Sequence, residues 1–279
     1  MADEPESEVA ARAASGSSFY LAMRLLPKEP REAMYAVYRF CRGVDDIADD
    51  TARPRAERIE MLQAWRISID ALYAGTSAPL SAFLESALQR YRFRKEDFLS
   101  VIDGMAMDVA EDIVAPEFGT LDLYCDRVAS AVGRLSIKVF GMDEEPGFQL
   151  AHHLGRALQL TNILRDLDED AALGRLYLPH ELLEGAGVVV GDPVDTIAAP
   201  QISSACRALG GVAHQHYRDA DRIMSAKPRG ELRPPRLMGA VYSSILLDME
   251  KRGWTPPRRR VRPPKARLFW MLFRHGLAA

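Results

Sequence analysis

The sequence predicts an all-α fold. Apolar residues recur at helical spacing along most of the chain, as in Ala33, Met34, Val37, Phe40, Cys41 and Val44. Turn residues interrupt that pattern at Pro27, Pro54, Gly75, Pro116, Gly141 and Pro146. Strand-type alternation is missing. The one valine-rich patch, Val188-Val189-Val190, is short, lies between glycines and reads as a loop. A chain of 279 residues can bury a large core, so the expectation is one domain of about eight to ten helices.

Taken in order, residues 1–14 are acidic and read as a disordered lead-in, and the domain is expected over 15–279. A first long helix is expected over 30–50, between Pro27 and Pro54. The second, 55–74, ends at Gly75. Helices at 79–91 and 95–112 follow and close before Pro116. Another at 119–140 stops at Gly141, and the next, 146–170, begins at Pro146. The period then returns at 200–225 and 233–253. Residues 256–279 differ in kind. A basic, proline-rich linker (256–267) precedes a short apolar-aromatic amphipathic helix.

Composition removes several classes. The net charge of −3 argues against a nucleic-acid partner. Three cysteines without a CxxC pair form neither a disulfide framework nor a zinc site. No apolar run reaches the roughly 18–20 residues of a membrane span, and the acidic N-terminus is the opposite of a signal peptide. The expected location is the cytoplasm.

Two acidic clusters stand out. One is Asp45-Asp46-Ile47-Ala48-Asp49, and the other is Asp166-Leu167-Asp168-Glu169-Asp170. Each holds aspartates four residues apart, which on a helix share a face with Cβ atoms about 5–6 Å apart and repel. Around the second, Gln159, Asn162, Asp166 and Asp170 advance by three, four and four, making one polar stripe on an otherwise apolar helix. Around the first, Tyr38, Arg42, Asp45 and Asp49 share a face. One such cluster reads equally as a solvated surface. Two on apolar helices predict a buried cavity lined by carboxylates, whose repulsion a divalent cation offsets. Di-iron bundles use Glu and Glu-x-x-His, whereas these pairs are aspartates with no nearby histidine, since His152 and His153 lie more than two turns before Asp166. Oxygen-only ligands suit Mg²⁺. Arg42, Arg165 and Arg175 flank the clusters and read equally as phosphate ligands or internal counter-ions.

These residues resemble the squalene/phytoene synthases, the head-to-head prenyl transferases, from about residue 15 to 275. The resemblance is carried by Ser15-Gly16-Ser17-Ser18-Phe19-Tyr20, by Tyr38-Arg39-Phe40-Cys41-Arg42-Gly43-Val44 with the first cluster, by Tyr124 to Gly133, and by Gln159 to Asp170 followed by Gly174-Arg175-Leu176-Tyr177-Leu178-Pro179. Within the family, residues 128–136, 107–112 and 252–260 are most similar to the branch that makes presqualene diphosphate for hopanoids. The resemblance implies an isoprenoid-synthase helical bundle around a central cavity, with the clusters facing across it. It implies Mg²⁺ (or Mn²⁺) held by Asp45, Asp46, Asp49, Asp166 and Asp170, supported by Asn162 and Glu169. Ser18, Arg42, Arg165, Arg175, Tyr242 and Arg260 would bind the diphosphates of two farnesyl diphosphates. Phe19, Tyr38, Tyr124 and Gln159 would line the reaction centre, with Tyr124 a proton acceptor or cation stabiliser; each aromatic reads equally as core packing. Gly16 replaces a serine that family members often carry, so Ser15 or Ser17 would have to substitute. NADPH is not expected, and enzymes acting on presqualene diphosphate are the expected downstream partners. Squalene, dehydrosqualene and phytoene synthases are the alternatives within the family, and a non-catalytic helical partner protein is the alternative outside it. The basic tail has two readings: docking on an anionic membrane, or packing on the bundle with Arg260 reaching the site.

Overall fold

The computed structural model describes residues 18–276. The predicted lead-in and the Ser15, Gly16 and Ser17 positions lie outside the described residues, as does the side chain of Ser18. The described residues form helices joined by short connections, with one isolated bridge between Val114 and Leu176 in place of any strand. Their order is α1 (Ser18–Met23), α2 (Lys28–Asp49), α3 (Arg55–Tyr73), a 3₁₀ turn (Ala82–Leu84), α4 (Glu85–Tyr91), α5 (Lys95–Ala110), α6 (Phe118–Cys125), a π turn (Asp126–Ser130), α7 (Ala131–Val139), α8 (Glu144–Arg165), α9 (Leu167–Ala172), α10 (His180–Gly185), α11 (Pro193–Ile197), α12 (Ile202–Ser225), α13 (Arg233–Arg252) and α14 (Lys265–Gly276).

Three departures from the expected elements have local causes. Pro146 does not break a helix: α8 starts at Glu144, so the proline falls in the first turn, where no intrahelical N–H bond is lost. The expected helix over 119–140 carries a π turn at Asp126–Ser130, which a hydrophobic period does not reveal. The expected helix over 146–170 bends at Asp166, whose φ of −103° and ψ of 18° close α8 and open α9. The backbone bonds Asp166 N to Asn162 O (2.9 Å) and Asp170 N to Asp166 O (2.8 Å) carry the chain across the bend. The stripe therefore survives as a kinked one. The short helices α1, α10 and α11 were not anticipated, since five or six residues show too little period to read.

The centre of the bundle is α8, which packs against α7, α12, α13 and the π turn. Leu150, Leu154, Ala157, Leu160 and Leu164 form its buried face. The approach to α7 and the π turn is set by small residues. A Cβ on Gly133 would lie 2.9 Å from Ala151 Cβ, and one on Gly155 only 2.7 Å from the Ser130 backbone. Gly155→Ala is therefore expected to destabilise the fold by about 1–3 kcal/mol, read as a lower thermal midpoint, because backbone cannot yield as a side-chain tip can. Beside this crossing, Arg156 donates to Asp122 (2.6 and 2.9 Å) and Asp126 (3.2 Å), and Arg134 donates to Asp97 (2.6 Å) and Asp126. These pairs satisfy charges that the interior would otherwise penalise.

The basic tail folds back. Buried Trp254 donates its indole N–H to Leu164 O (3.0 Å) at the end of α8. Arg258 forks onto Asp168 (2.7 and 3.1 Å), and Arg267 pairs with Asp248 (2.5 Å) on α13. No described helix is long and apolar enough to cross a membrane.

Candidate active site

The two acidic clusters meet through the ends of α2, α8 and α9. On α2, Arg42 reaches down one turn and donates to Asp45 (2.6 Å) and Asp46 (2.5 Å). On the loop after α9, buried Arg175 donates to Asp49 Oδ1 (3.0 Å) and to Ala48 O (3.0 Å). Its own backbone N–H binds Asp170 O at 2.9 Å. Arg175 thus ties the second cluster to the first across 126 residues of sequence. Arg165 forks onto Asp166 (2.8 and 2.6 Å) and also hydrogen-bonds Tyr242. Arg260 reaches Asp166 (3.0 Å) and Glu169 (3.5 Å) from the tail. The structure thus brings Asp45, Asp46, Asp49, Asp166, Glu169 and Asp170 together with Arg42, Arg165, Arg175, Tyr242 and Arg260.

The carboxylates are not as buried as their helical context predicts. The Asp46 and Asp49 side chains are 64% and 53% exposed, whereas that of Asp166 is 18% exposed. The reason is position. Both groups occupy helix ends, where the bundle opens, rather than helix middles.

Next to them lies an apolar cavity of about 220 Å³. Its wall is built by Phe19, Val128, Val132, Leu154, Leu158 and Met238, and Gln159, Asn162 and Tyr242 supply polar groups. No carboxylate is among the residues that line it. The acids begin one turn beyond Asn162 on α8. Phe19 stacks on Tyr38 with centroids 5.5 Å apart, although Tyr38 and Tyr124 are not among the lining residues.

Tyr124 is held elsewhere. Its hydroxyl donates to Asp108 Oδ2 (3.0 Å), its ring stacks on Tyr177 (4.9 Å), and the Tyr177 hydroxyl donates to Asp108 Oδ1 (2.6 Å). Burial and the Asp108 charge push the Tyr124 phenol well above its usual range, so it is a neutral donor. Asp108 is 5% exposed and feels Arg175 and Asp49, so it is the buried carboxylate nearest the junction of both clusters. Sequence reading missed this role. The 107–112 stretch marked only a branch of the family, and neither tyrosine partner lies within reach along the helix.

The electrostatics fit a cation. Desolvation, then Asp49, pushes Asp45 up to about 6, against the pull of Arg42. Desolvation, then Asp166, pushes Asp170 up to about 7. Among the described residues, Asn162 Oδ1 is buried with no hydrogen-bond partner, while its amide N–H₂ turns to Gln159 (3.5 Å). A buried unpaired amide oxygen beside crowded carboxylates is an all-oxygen donor set suited to a hard divalent ion.

The squalene/phytoene synthase model matches residues 12–267. The chain is 54% identical over 269 residues to the presqualene diphosphate synthase of Zymomonas mobilis, covering 96% of this chain and 92% of that one. It is 50% identical to the enzyme of the same name from Rhodopseudomonas palustris, covering 98% of each. A dehydrosqualene synthase crystallised with a ligand superposes with a TM-score of 0.82 over 98% of this chain and 95% of that one, at 24% identity, which speaks for the fold. Residue motifs, bundle and paired clusters thus converge with these likenesses: the chain belongs to the squalene/phytoene synthase family.

Proposed function

We propose that this protein condenses two farnesyl diphosphates head to head (1–1′) to presqualene diphosphate, releasing one diphosphate and one proton. The observation that carries this reading is the junction of two acidic helix ends, bridged by Arg175, against an apolar cavity. The near-full-length likeness to named presqualene diphosphate synthases supports the choice of product.

Mg²⁺, or Mn²⁺ on the same donors, would be held by Asp45, Asp46, Asp49, Asp166 and Asp170, with Asn162 Oδ1 and Glu169 in support. When bound, it neutralises charge developing on the departing diphosphate. Arg42, Arg165, Arg175 and Arg260 lie beside those carboxylates and would share the diphosphate oxygens, with Ser18 and Tyr242 contributing hydroxyls. As the allylic C1–O bond breaks, its electron pair leaves with the diphosphate. The double bond of the second chain attacks the C1 cation, and proton loss closes the cyclopropane. Phe19, Val128, Val132, Leu154 and Leu158 keep water from the cation. Tyr38 backs Phe19, and Gln159 stands where chain and polar groups meet. Tyr124 donates its hydroxyl to Asp108, so of the two expected roles the neutral phenol would stabilise the cation through that buried carboxylate rather than take up the proton. We place the expected membrane contact on α14, where Trp270 and Phe273 are 56% and 60% exposed. Product transfer to downstream enzymes would occur there.

Purified protein with farnesyl diphosphate and Mg²⁺ is expected to form a C30 cyclopropyl diphosphate, identified by mass and chromatography, with the same product when NADPH is added. Absence of diphosphate release would overturn the reading. Squalene or dehydrosqualene, or phytoene from a C20 substrate, would reassign the product. Unchanged cellular function after Asp46→Ala and Asp166→Ala would favour a non-catalytic partner protein.

A further inference from the structure

Far from the acid-bearing ends, three imidazoles converge across the α8–α12 packing. His152 and His153 are consecutive on α8, and His216 faces them from α12. His153 Nδ1 and His216 Nδ1 are 3.0 Å apart. The ring centroids lie 4.8 Å (His152–His153), 5.8 Å (His152–His216) and 5.2 Å (His153–His216) from one another. Each ring can offer a nitrogen such that all three lie within 4.8 Å of one another. Asp219, one turn along α12, holds a carboxylate oxygen 3.9 Å from His153 Nδ1. None of these residues lines the apolar cavity.

We infer that His152, His153 and His216 form a second metal centre, for a transition-metal dication such as Zn²⁺, Co²⁺ or Ni²⁺, which clips α8 to α12. Imidazole nitrogens favour these ions, whereas carboxylate and amide oxygens favour Mg²⁺, so the chain sorts two metals by ligand chemistry. The spacing agrees. Two nitrogens each about 2.1 Å from one ion stand about 3.0 Å apart at a right angle and about 3.4 Å apart at the tetrahedral angle. A simple N–H···N bond would also give 3.0 Å between His153 and His216, but it does not call for a third imidazole. Successive helix positions point about 100° apart, yet His152 still brings a nitrogen within 4.8 Å of the other two, from where a rotamer adjustment would close it onto the ion. Asp219 or water completes the coordination.

The clip would fix the helix that carries Asn162, Arg165 and Asp166 at its other end. Its effect is on stability, since a ligand that binds only the folded state raises the midpoint by mass action.

The test uses full-length, metal-stripped protein in saturating Mg²⁺, titrated with Co²⁺. One equivalent is expected to bind, with a visible ligand-field absorption band and a thermal midpoint several degrees higher. His153→Gln and His216→Gln are each expected to weaken Co²⁺ binding at least tenfold while Mg²⁺-supported turnover stays at the wild-type level. Asp170→Asn is expected to keep the band. The exposed His152→Gln serves as a second probe should the His216 variant fail to fold. Absence of both band and midpoint shift overturns the proposal, as does a band that persists in all three histidine variants or one that disappears in Asp170→Asn.

Discussion

Asp170→Asn is expected to lower kcat by about 10²–10³-fold, the scale seen when one preorganised group that stabilises transition-state charge is removed. The same change is expected to raise the thermal midpoint of the metal-free protein. Both outcomes follow from one cause. Asp170 is held near Asp166 with little solvent, which pushes its pKa up to about 7. An unfolded aspartate titrates near 3.9. Between those values the folded state binds more protons than the unfolded one, so the metal-free fold loses stability as pH rises from about 4 to about 7. Neutral asparagine removes that loss. With Mg²⁺ the sign of the benefit reverses, because the ion needs the deprotonated carboxylate. Mg²⁺ affinity of the wild type, followed by calorimetry, should therefore fall between pH 8 and pH 5, with Asp45, pushed up to about 6, contributing in the same window. A flat affinity over that range would argue against an aspartate site. An Asp170→Asn protein that is both less active and less stable would argue that the residue is structural.

The aspartate pairs were legible because their signal is local. Four-residue spacing needs only a helix to become a shared face, and α2 and the kinked α8–α9 supply one. The bend at Asp166 was not legible, because the apolar period runs through it while only the backbone angles change. Arg175 was legible as a basic neighbour of the second cluster but not as the bridge to Asp49, which lies 126 residues away. The tail was legible in part. Arg260 reaches Asp166 as the packed reading expected, whereas the fork from Arg258 to Asp168 has no signature in a run of arginines. Gly133 stood inside a recognisable motif, but its reason is the 2.9 Å approach to Ala151, which belongs to tertiary packing. His152 and His153 drew notice only for their distance from Asp166. Their convergence on His216 depends on how two long helices cross.

Asp108→Asn is the sharper test of what the fold adds beyond the motifs. Asp108 accepts hydroxyls from Tyr124 (3.0 Å) and Tyr177 (2.6 Å), one on each oxygen. Asparagine keeps one acceptor oxygen and replaces the other with an N–H₂ group, so one buried tyrosine hydroxyl loses its acceptor. That loss is expected to cost about 1–3 kcal/mol of stability. It also removes the buried negative charge that faces Arg175 near Asp49 and Asp170. Arg175 would keep its bonds to Asp49 and Ala48 with a stronger net positive field, which weakens Mg²⁺ binding at the junction. Turnover is expected to fall about 10–100-fold, the range for partners that orient metal ligands, with the Mg²⁺ concentration for half-maximal rate shifted upward. Tyr177→Phe separates the two effects. It deletes one hydrogen bond and leaves the Asp108 charge, so it should lower the thermal midpoint while moving the Mg²⁺ dependence little. If both variants lose the same stability and neither shifts the Mg²⁺ dependence, Asp108 only packs the interior. If Asp108→Asn alone shifts it, the buried carboxylate tunes the metal site from beneath, a role that the two acidic motifs by themselves do not contain.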